Sequence, residues 1–387
     1  MEKVPSSPEQ PRVALVYDRV NSWGGAERVL LALQELYPDA PLFTSVYDAK
    51  SAEWAKSFVV KTSFLQRYSC LRTRHRWLGW LMPLAFETLD LSGYDIVISV
   101  TSEAAKAVIT IPEQLHICYL LTPTRYLWSH EAEYRLTLPA FIRFPVEKVQ
   151  GVFRKWDRVA SQRPDFLIPI SQLVQERAQR YYGRPVEQPI YPGYQPLSSA
   201  EVPFHQPTPN FIFSWGRHVA YKRFDLVIQA AQHLQLPLVI AGSGPETERL
   251  EQIAADSAEP HLIQFVGKIS DSQLAWYLQN ARCAVFPQAE DFGISPLEAV
   301  SQGCPVVLHE KSGVAELLIN NLDGITLPES SVNELEKALQ KIQAQTWNRL
   351  DIQSRARQYA DKSFQEIWTK RVQLLWKSHC QQLKGSL

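Results

Sequence analysis

The sequence predicts an α/β protein built from two doubly wound parallel-sheet domains. Three observations carry that prediction. Short apolar runs alternate with amphipathic segments in both halves of the chain. A stretch with seven prolines and little periodicity, residues 185–210, separates the halves and reads as a linker. The length, 387 residues, suits two domains that each bury their own core. In such sheets ligands bind beyond the C-terminal ends of the strands, where the strand order reverses, and two such domains facing each other would make a cleft.

The elements follow in chain order. "RVALVY" (12–17) reads as a buried strand, and "GGAERVLLALQELY" (24–37) as a helix with Val29, Leu30, Leu33 and Leu36 on one face. Further strands are expected at "PLFTSVY", "YDIVISV", "HICYLL" and "DFLIPIS". Ser171 stands where an N-cap belongs and Gly183 where that helix ends. From "FIFSWGR" (211–217) the rhythm restarts: a strand, a helix to about 234, "LPLVIAGSG", and a helix from about 246. "LIQFVG", a helix opened by Ser270 or Asp271, and "CAVFP" come next. Then come a turn with two glutamates, its helix and "PVVLHE". After residue 330 the chain reads as wholly helical. In its last helix Phe364, Ile367, Trp368, Val372, Leu375 and Trp376 read as core packing.

Composition narrows the function classes. A hydrophobic fraction of 45% fits a globular chain, and forty basic residues cancel forty acidic ones. That balance argues against nucleic acid as a partner, because such binding needs phosphate neutralisation. Five cysteines, none in C-x-x-C, and no visible signal peptide point to a reduced, cytoplasmic chain. The longest apolar run, "LGWLMPLAF", is about half of what a membrane span needs.

Three places could carry chemistry. In "EDFGISPLEAVSQGCPVV" (290–307) a helix beginning near Ile294 or Ser295 would offer amides and a partial positive charge to a phosphate. Gly293 would let a ligand approach closely, and Glu290 or Glu298 could accept hydrogen bonds from sugar hydroxyls. The same residues also fit a capping box, with Ser295 as N-cap and Glu298 at N3. In "SWGRHVAYKRFDLVIQAA" (214–231) Arg217 and Lys222 lie between a strand end and a helix, placed to neutralise a departing diphosphate or simply to sit in water. In "NSWGGAERV" (21–29) Gly24 and Gly25 could bring backbone N–H groups to a phosphate, or serve a tight turn that needs positive φ. "AGSGPE" (241–246) is similar. There is no G-x-G-x-x-G, no D-x-D and no His/Cys cluster at metal spacing.

Together these places resemble the retaining glycosyltransferases of family 4, which have the GT-B fold. Glu290 and Glu298 match the E-x7-E pattern with "FG" between them; Arg217 and Lys222 match "GR" and its Lys; residues 24–27 match "GGAE". "AGSGP" and "FVGKIS" also fall where the family has such runs. The resemblance implies two Rossmann-like domains facing a central cleft. We expect residues 1–195 to bind acceptor, residues 196–362 to bind nucleotide sugar, and a helix over 363–387 to return to the first domain. It implies that Arg217 and Lys222 hold the diphosphate, Glu298 the ribose hydroxyls and Glu290 the donor sugar. Amides around Phe292, Gly293 and Ile294, with Gly24 and Gly25, would complete donor binding, without a metal.

"FLQR", "LMPLAFETLDLSGYDIVIS", "TPTRYLW" and "YYGR" further resemble mannosyltransferase-type enzymes of bacterial polysaccharide assembly, which implies GDP-mannose as favoured donor and a lipid-linked or saccharide acceptor. One departure stands out. Relatives commonly carry a His where this chain has Leu121, so His116 or His130 would have to substitute, or activity is weakened. Arg72, Arg74, Arg76 and Trp77, with Arg125, are expected on the acceptor side or against an anionic membrane, joined by "RFPVEKVQGVFRKWDR" (143–158). A catalytically weakened protein that binds a nucleotide sugar or a partner transferase, and a sugar-nucleotide epimerase, are the competing readings.

Overall fold

The computed structural model describes residues 11–68, 81–129, 131, 140–197, 200–203 and 207–385, and along 140–148 the backbone alone. The chain divides into two compact units, one formed by Met1–Tyr191 with Phe364–Leu387 and the other by Pro192–Ser363.

The first unit holds β1 (Val13–Tyr17), α1 (Gly25–Leu36), β2 (Leu42–Thr44), β3 (Val60–Thr62), α2 (Met82–Glu87), β4 (Ile96–Thr101), β5 (Leu115–Leu120), α3 (Ala140–Ala160), β6 (Phe166–Pro169) and α4 (Gln172–Tyr182). Its sheet runs β3-β2-β1-β4-β5-β6, every pair parallel. β4 and β5 are buried along all their residues, which is why they are near-continuous apolar runs in the sequence. Ser171 caps α4 by accepting from the Val174 amide, and Gly183 ends it in the left-handed region at φ 65°.

The second unit repeats the plan. It holds β7 (Ile212–Trp215), α5 (Phe224–His233), β8 (Leu238–Ala241), α6 (Thr247–Ala255), β9 (Ile263–Gly267) and α7 (Asp271–Asn280). β10 (Cys283–Phe286), α8 (Ile294–Ser301), β11 (Val306–His309), β12 (Gly324–Leu327), α9 (Val332–Ala344) and α10 (Arg349–Ala356) follow. The sheet order is β12-β11-β10-β7-β8-β9, again all parallel. Both sheets therefore wind outward from their first strand in the same sense. Their order reverses between β1 and β4 in one unit and between β7 and β10 in the other. Apolar faces of α5 and α9 pack over the second sheet, where Val227, Ile228, Leu335 and Leu339 meet Ile240, Val285 and Val307.

The last helix, α11 (Asp361–Gly385), enters the first unit at Phe364. The rings of Phe364 and Trp368 lie 5.9 and 5.1 Å from Tyr119 on β5, and Gln365 donates to the carbonyl of Ala32 on α1. Val372, Leu375 and Trp376 are buried as well. Ile367 corrects the sequence reading: it is 55% exposed, because the buried stripe of α11 is narrower than its apolar content suggests. Edge strands β3 and β12 were not anticipated.

The "AGSG" turn after β8 owes its glycines to close backbone packing. Gly242 sits at φ 113°, and a Cβ there would lie 1.9 Å from the carbonyl oxygen of Gly216. Gly242→Ala therefore combines a backbone penalty of about 1–2 kcal/mol with an overpacking cost of about 1–3 kcal/mol. The thermal midpoint of the full chain should fall accordingly; an unchanged midpoint would contradict this packing.

His116 gives a second prediction. It is fully buried at the start of β5, with Nε2 2.8 Å from the Ser99 hydroxyl, and burial pushes its imidazole down to about 3. The unfolded chain takes up this proton near the ordinary histidine value of about 6.5, whereas the folded chain resists it. The stabilisation is complete above about 6.5 and is lost toward about 3, by up to about 1.4 kcal/mol per pH unit. Urea midpoints measured against pH should show that slope in the wild type and a shallower one in His116→Gln.

Candidate active site

Because the second sheet reverses between β7 and β10, the loops leaving those two strands frame its ligand edge. The β7 loop passes through Gly216, Arg217 and His218 into a single tight turn, Ala220–Lys222, and Arg223 at φ 53° then starts α5. The β10 loop carries Gln288, Glu290, Asp291 and Phe292 to Gly293, which caps α8. Lys222 Nζ lies 3.0 Å from Glu290 Oε1, with the two side chains 14% and 19% exposed. Gln288 Nε2 donates to the same oxygen at 3.0 Å. Two residues singled out in separate stretches of the sequence thus meet. Arg217 is exposed on the same loop and makes no ion pair among the described residues.

Neighbouring backbone fixes the Glu290 loop. The Glu290 amide donates to Ser312 Oγ at 3.2 Å, and that hydroxyl donates to the Gln288 carbonyl at 3.1 Å. The Gly313 amide reaches the Glu290 carbonyl at 3.0 Å, and Val314 reaches the Phe292 carbonyl at 2.9 Å. Phe292 is buried.

Gly293 stands at φ 96°, a left-handed conformation that favours glycine, and a Cβ there would come 3.3 Å from Glu290 Oε2. Its role as N-cap overturns the capping-box alternative. No side chain caps α8, Ser295 lies inside the first turn, and Glu298 lies in the second turn, buried at 2% exposure. The helix begins earlier than a Ser cap would require because glycine alone turns the chain there. The start of α8, at Ile294, therefore presents its positive end beside Glu290 and Lys222 without a competing side-chain acceptor in the cap.

The equivalent edge of the first unit is occupied by the protein itself. The carboxylate of Asp18, directly after β1, accepts from the amides of Ser102, Glu103, Ala104 and Ala105 at 2.7, 3.0, 2.9 and 2.8 Å. The hydroxyls of Thr101 and Ser102 add two more bonds at 2.8 and 3.3 Å. Arg19 and Glu103 then pair through two contacts of 3.0 and 2.5 Å. Burial pushes the Glu103 carboxyl up, while Arg19 opposes that shift. The first unit's amides at the sheet reversal already hold an anion.

Gly24 and Gly25 open α1 on this same unit. Gly24 is extended, at φ −176°, so positive φ is not what selects glycine. A Cβ there would lie 3.2 Å from Glu27 Oε2, and Glu27 also accepts from the Gly24 amide and, at 2.7 Å, from the Tyr17 hydroxyl. Glycine makes room for a buried carboxyl whose burial raises its pKa.

Leu121 follows β5 and is half-buried, as is Arg125 in the turn beyond. His116 does not stand in for the family histidine, because it lies at the opposite end of β5 inside the core. Arg72, Arg74, Arg76, Trp77 and His130 lie outside the described residues. Sequence reasoning missed Asp18 and the fully buried pair Lys106–Asp157, at 2.6 Å. The available signal for Asp18 was a carboxylate straight after a buried strand, answered by the small and hydroxyl-bearing "TSEAA" after β4. Among the described residues no group of three or more His, Cys, Asp or Glu could hold a metal ion, and no helix is long and apolar enough to cross a membrane.

Residues 199–362 match the family model "Glycosyl transferases group 1". The O-antigen chain mannosyltransferase C of Escherichia coli is 26% identical over 164 residues, 41% of this chain and 43% of that protein. The D-rhamnosyltransferase WbpZ of Pseudomonas aeruginosa is 30% identical over 136 residues, 34% of this chain and 35% of that protein. The matches thus span less than half the length of these curated relatives. Along 93% of this chain and 99% of the other, the fold is similar to Anabaena Alr3699/HepE in complex with UDP-glucose, with a TM-score of 0.68 and 17% identity. The chain has the GT-B fold of two Rossmann-like units, and its residues 199–362 are similar to the group 1 glycosyl transferases.

Proposed function

We propose that the chain is a retaining glycosyltransferase that moves a sugar from a nucleotide-diphosphate sugar to a lipid-linked or saccharide acceptor in polysaccharide assembly. The observation that carries this reading is the meeting of Lys222 and Glu290, 3.0 Å apart, beside the glycine-capped start of α8. A cation, a carboxylate and a helix N-terminus at one sheet edge suit a ligand that carries both phosphate charge and sugar hydroxyls. GDP-mannose is the favoured donor. The similarity to a mannosyltransferase supports the sugar, and the similarity to a protein in complex with UDP-glucose makes uridine the base to test against guanine.

The chemistry follows from charge. In the resting chain Lys222 is neutralised by Glu290. An incoming diphosphate would draw Lys222 and the exposed Arg217 to itself, leaving Glu290 to accept from the donor sugar's hydroxyls and Glu298 from the ribose. As the bond from C1 to the phosphate oxygen loosens, negative charge grows on the diphosphate. The two cations and the end of α8 stabilise it. The acceptor hydroxyl adds to C1 on the face the diphosphate leaves, and a diphosphate oxygen takes its proton, so the configuration at C1 is retained.

For acceptor delivery we propose peripheral contact with an anionic membrane. Helix α3 exposes Val149, Val152 and Val159 together with Lys155 and Arg158, an apolar and basic mixture suited to such an interface.

Three measurements test these proposals. Lys222→Ala and Arg217→Ala should each lower turnover by about 10²–10³-fold, the scale of one lost electrostatic donor. Wild-type turnover in Lys222→Ala would overturn its role. In a thermal-shift panel the true donor, at about 100 times its Kd, should stabilise the chain by about 2.7 kcal/mol. No shift with any nucleotide sugar would overturn the function. Binding to anionic vesicles should weaken as salt rises and weaken further in Lys155→Glu; equal binding to neutral vesicles would contradict the membrane contact.

A further inference from the structure

We propose that His218 is a positioning residue whose imidazole braces the loop carrying Arg217 and Lys222 against the turn 242–247. The inference rests on the transferase reading for what those cations do; the brace itself rests on geometry. His218 is 1% exposed, although it directly follows an exposed arginine. Its Nδ1 lies 2.9 Å from Thr247 Oγ1, and that hydroxyl also accepts from the Gly244 amide at 2.9 Å. The backbone doubles the link. The His218 amide donates to the Ser243 carbonyl at 3.1 Å, and the Glu246 amide donates to the His218 carbonyl at 3.1 Å. Phe224 and Phe265 close on the ring edge-to-face, at 5.0 and 6.2 Å.

Two features separate this imidazole from ordinary core filler. The Ala241 carbonyl, which accepts from the Gly216 amide, also faces this imidazole, a polar contact that an apolar side chain between two phenylalanines could not make. The brace also lies next to the groups that would meet phosphate. The Lys222 ammonium packs over Gly216, where a Cβ would lie 3.3 Å from Nζ, and the Gly216 amide is itself held by the Ala241 carbonyl at 3.1 Å. A shift of 216–218 away from 241–247 would therefore carry the ammonium with it. Catalytic groups tolerate little displacement, since a shift of about 1 Å can cost on the order of 10²-fold.

The test uses the full chain with UDP and GDP as probes. His218→Leu keeps bulk and loses the nitrogen; His218→Asn keeps a nitrogen near the Nδ1 position; Thr247→Val removes the partner hydroxyl. Affinity of the better-binding nucleoside diphosphate should fall about tenfold in His218→Leu and in Thr247→Val, and return to within about threefold of wild type in His218→Asn. KM for the donor should rise more than kcat falls. The double variant His218→Leu/Thr247→Val should be no worse than Thr247→Val, because the His218–Thr247 link and the Thr247 hydroxyl's bonds to Gly244 are already lost in that single variant. Amide exchange at 216–222 should quicken in the same variants and be restored in His218→Asn. Wild-type affinity and wild-type exchange in Thr247→Val, the variant least able to disturb folding, would overturn the brace. Loosened exchange in a chain whose wild type binds neither probe would leave the brace standing and remove the transferase reading instead.

Discussion

What fills the amide-lined edge where a parallel sheet reverses its strand order decides what each half of this chain can bind. Parallel strands and the helices after them aim backbone N–H groups at that edge, so an anion belongs there. In the first unit the anion is internal: four amides and two hydroxyls converge on Asp18. In the second unit the edge carries Lys222, Arg217 and the start of α8, with the Glu290 carboxylate held near Lys222 by an ion pair that, on the proposed function, a diphosphate would replace. One topology thus gives an edge closed by a buried carboxylate and an edge lined by a partly exposed ion pair, and the difference lies in a few side chains.

The same contrast appears in burial. The first unit's edge is backed by Lys106 and Asp157, 2.6 Å apart and without solvent exposure. Thr124 and Trp128 complete the Asp157 carboxylate at 3.0 and 2.7 Å, and Lys106 also donates to the Glu103 carbonyl. Burying such a pair is costly, and removing one partner costs about 3–5 kcal/mol, so its contribution is to fix one arrangement of the β4 loop, the β5 loop and α3. Lys222 and Glu290 keep partial exposure, and a pair that water can reach exchanges partners at lower cost.

Much of this was legible in the sequence, for identifiable reasons. The central strands were found because a strand buried on both faces reads as a continuous apolar run, as in "YDIVISV". β3 and β12 were missed because they are short edge strands: "VKT" is half-exposed, and "GITL" opens on Gly324, whose Cβ would lie 1.9 Å from the Val306 carbonyl oxygen. Glu290 stood out because a carboxylate in a post-strand loop has no capping role, whereas Arg217 and Lys222 fit a solvated helix start equally well and gained weight only from the family resemblance. Glu298 was ambiguous because a Ser-Pro-x-Glu run mimics a cap, and only the backbone of Gly293 decides where α8 starts. Asp18 was overlooked for a different reason. Its meaning comes from amides more than eighty residues away, brought beside it when β1 pairs with β4.

On the proposed function a nucleoside diphosphate is received at the β7–β10 edge of the second unit while the β1–β4 edge of the first stays closed around Asp18. Amide hydrogen exchange of the full chain, with and without saturating nucleoside diphosphate, tests it most directly. New protection is expected at 216–223 and 292–296 and none at 101–106. Protection confined to 101–106, with 216–223 and 292–296 unchanged, would contradict it.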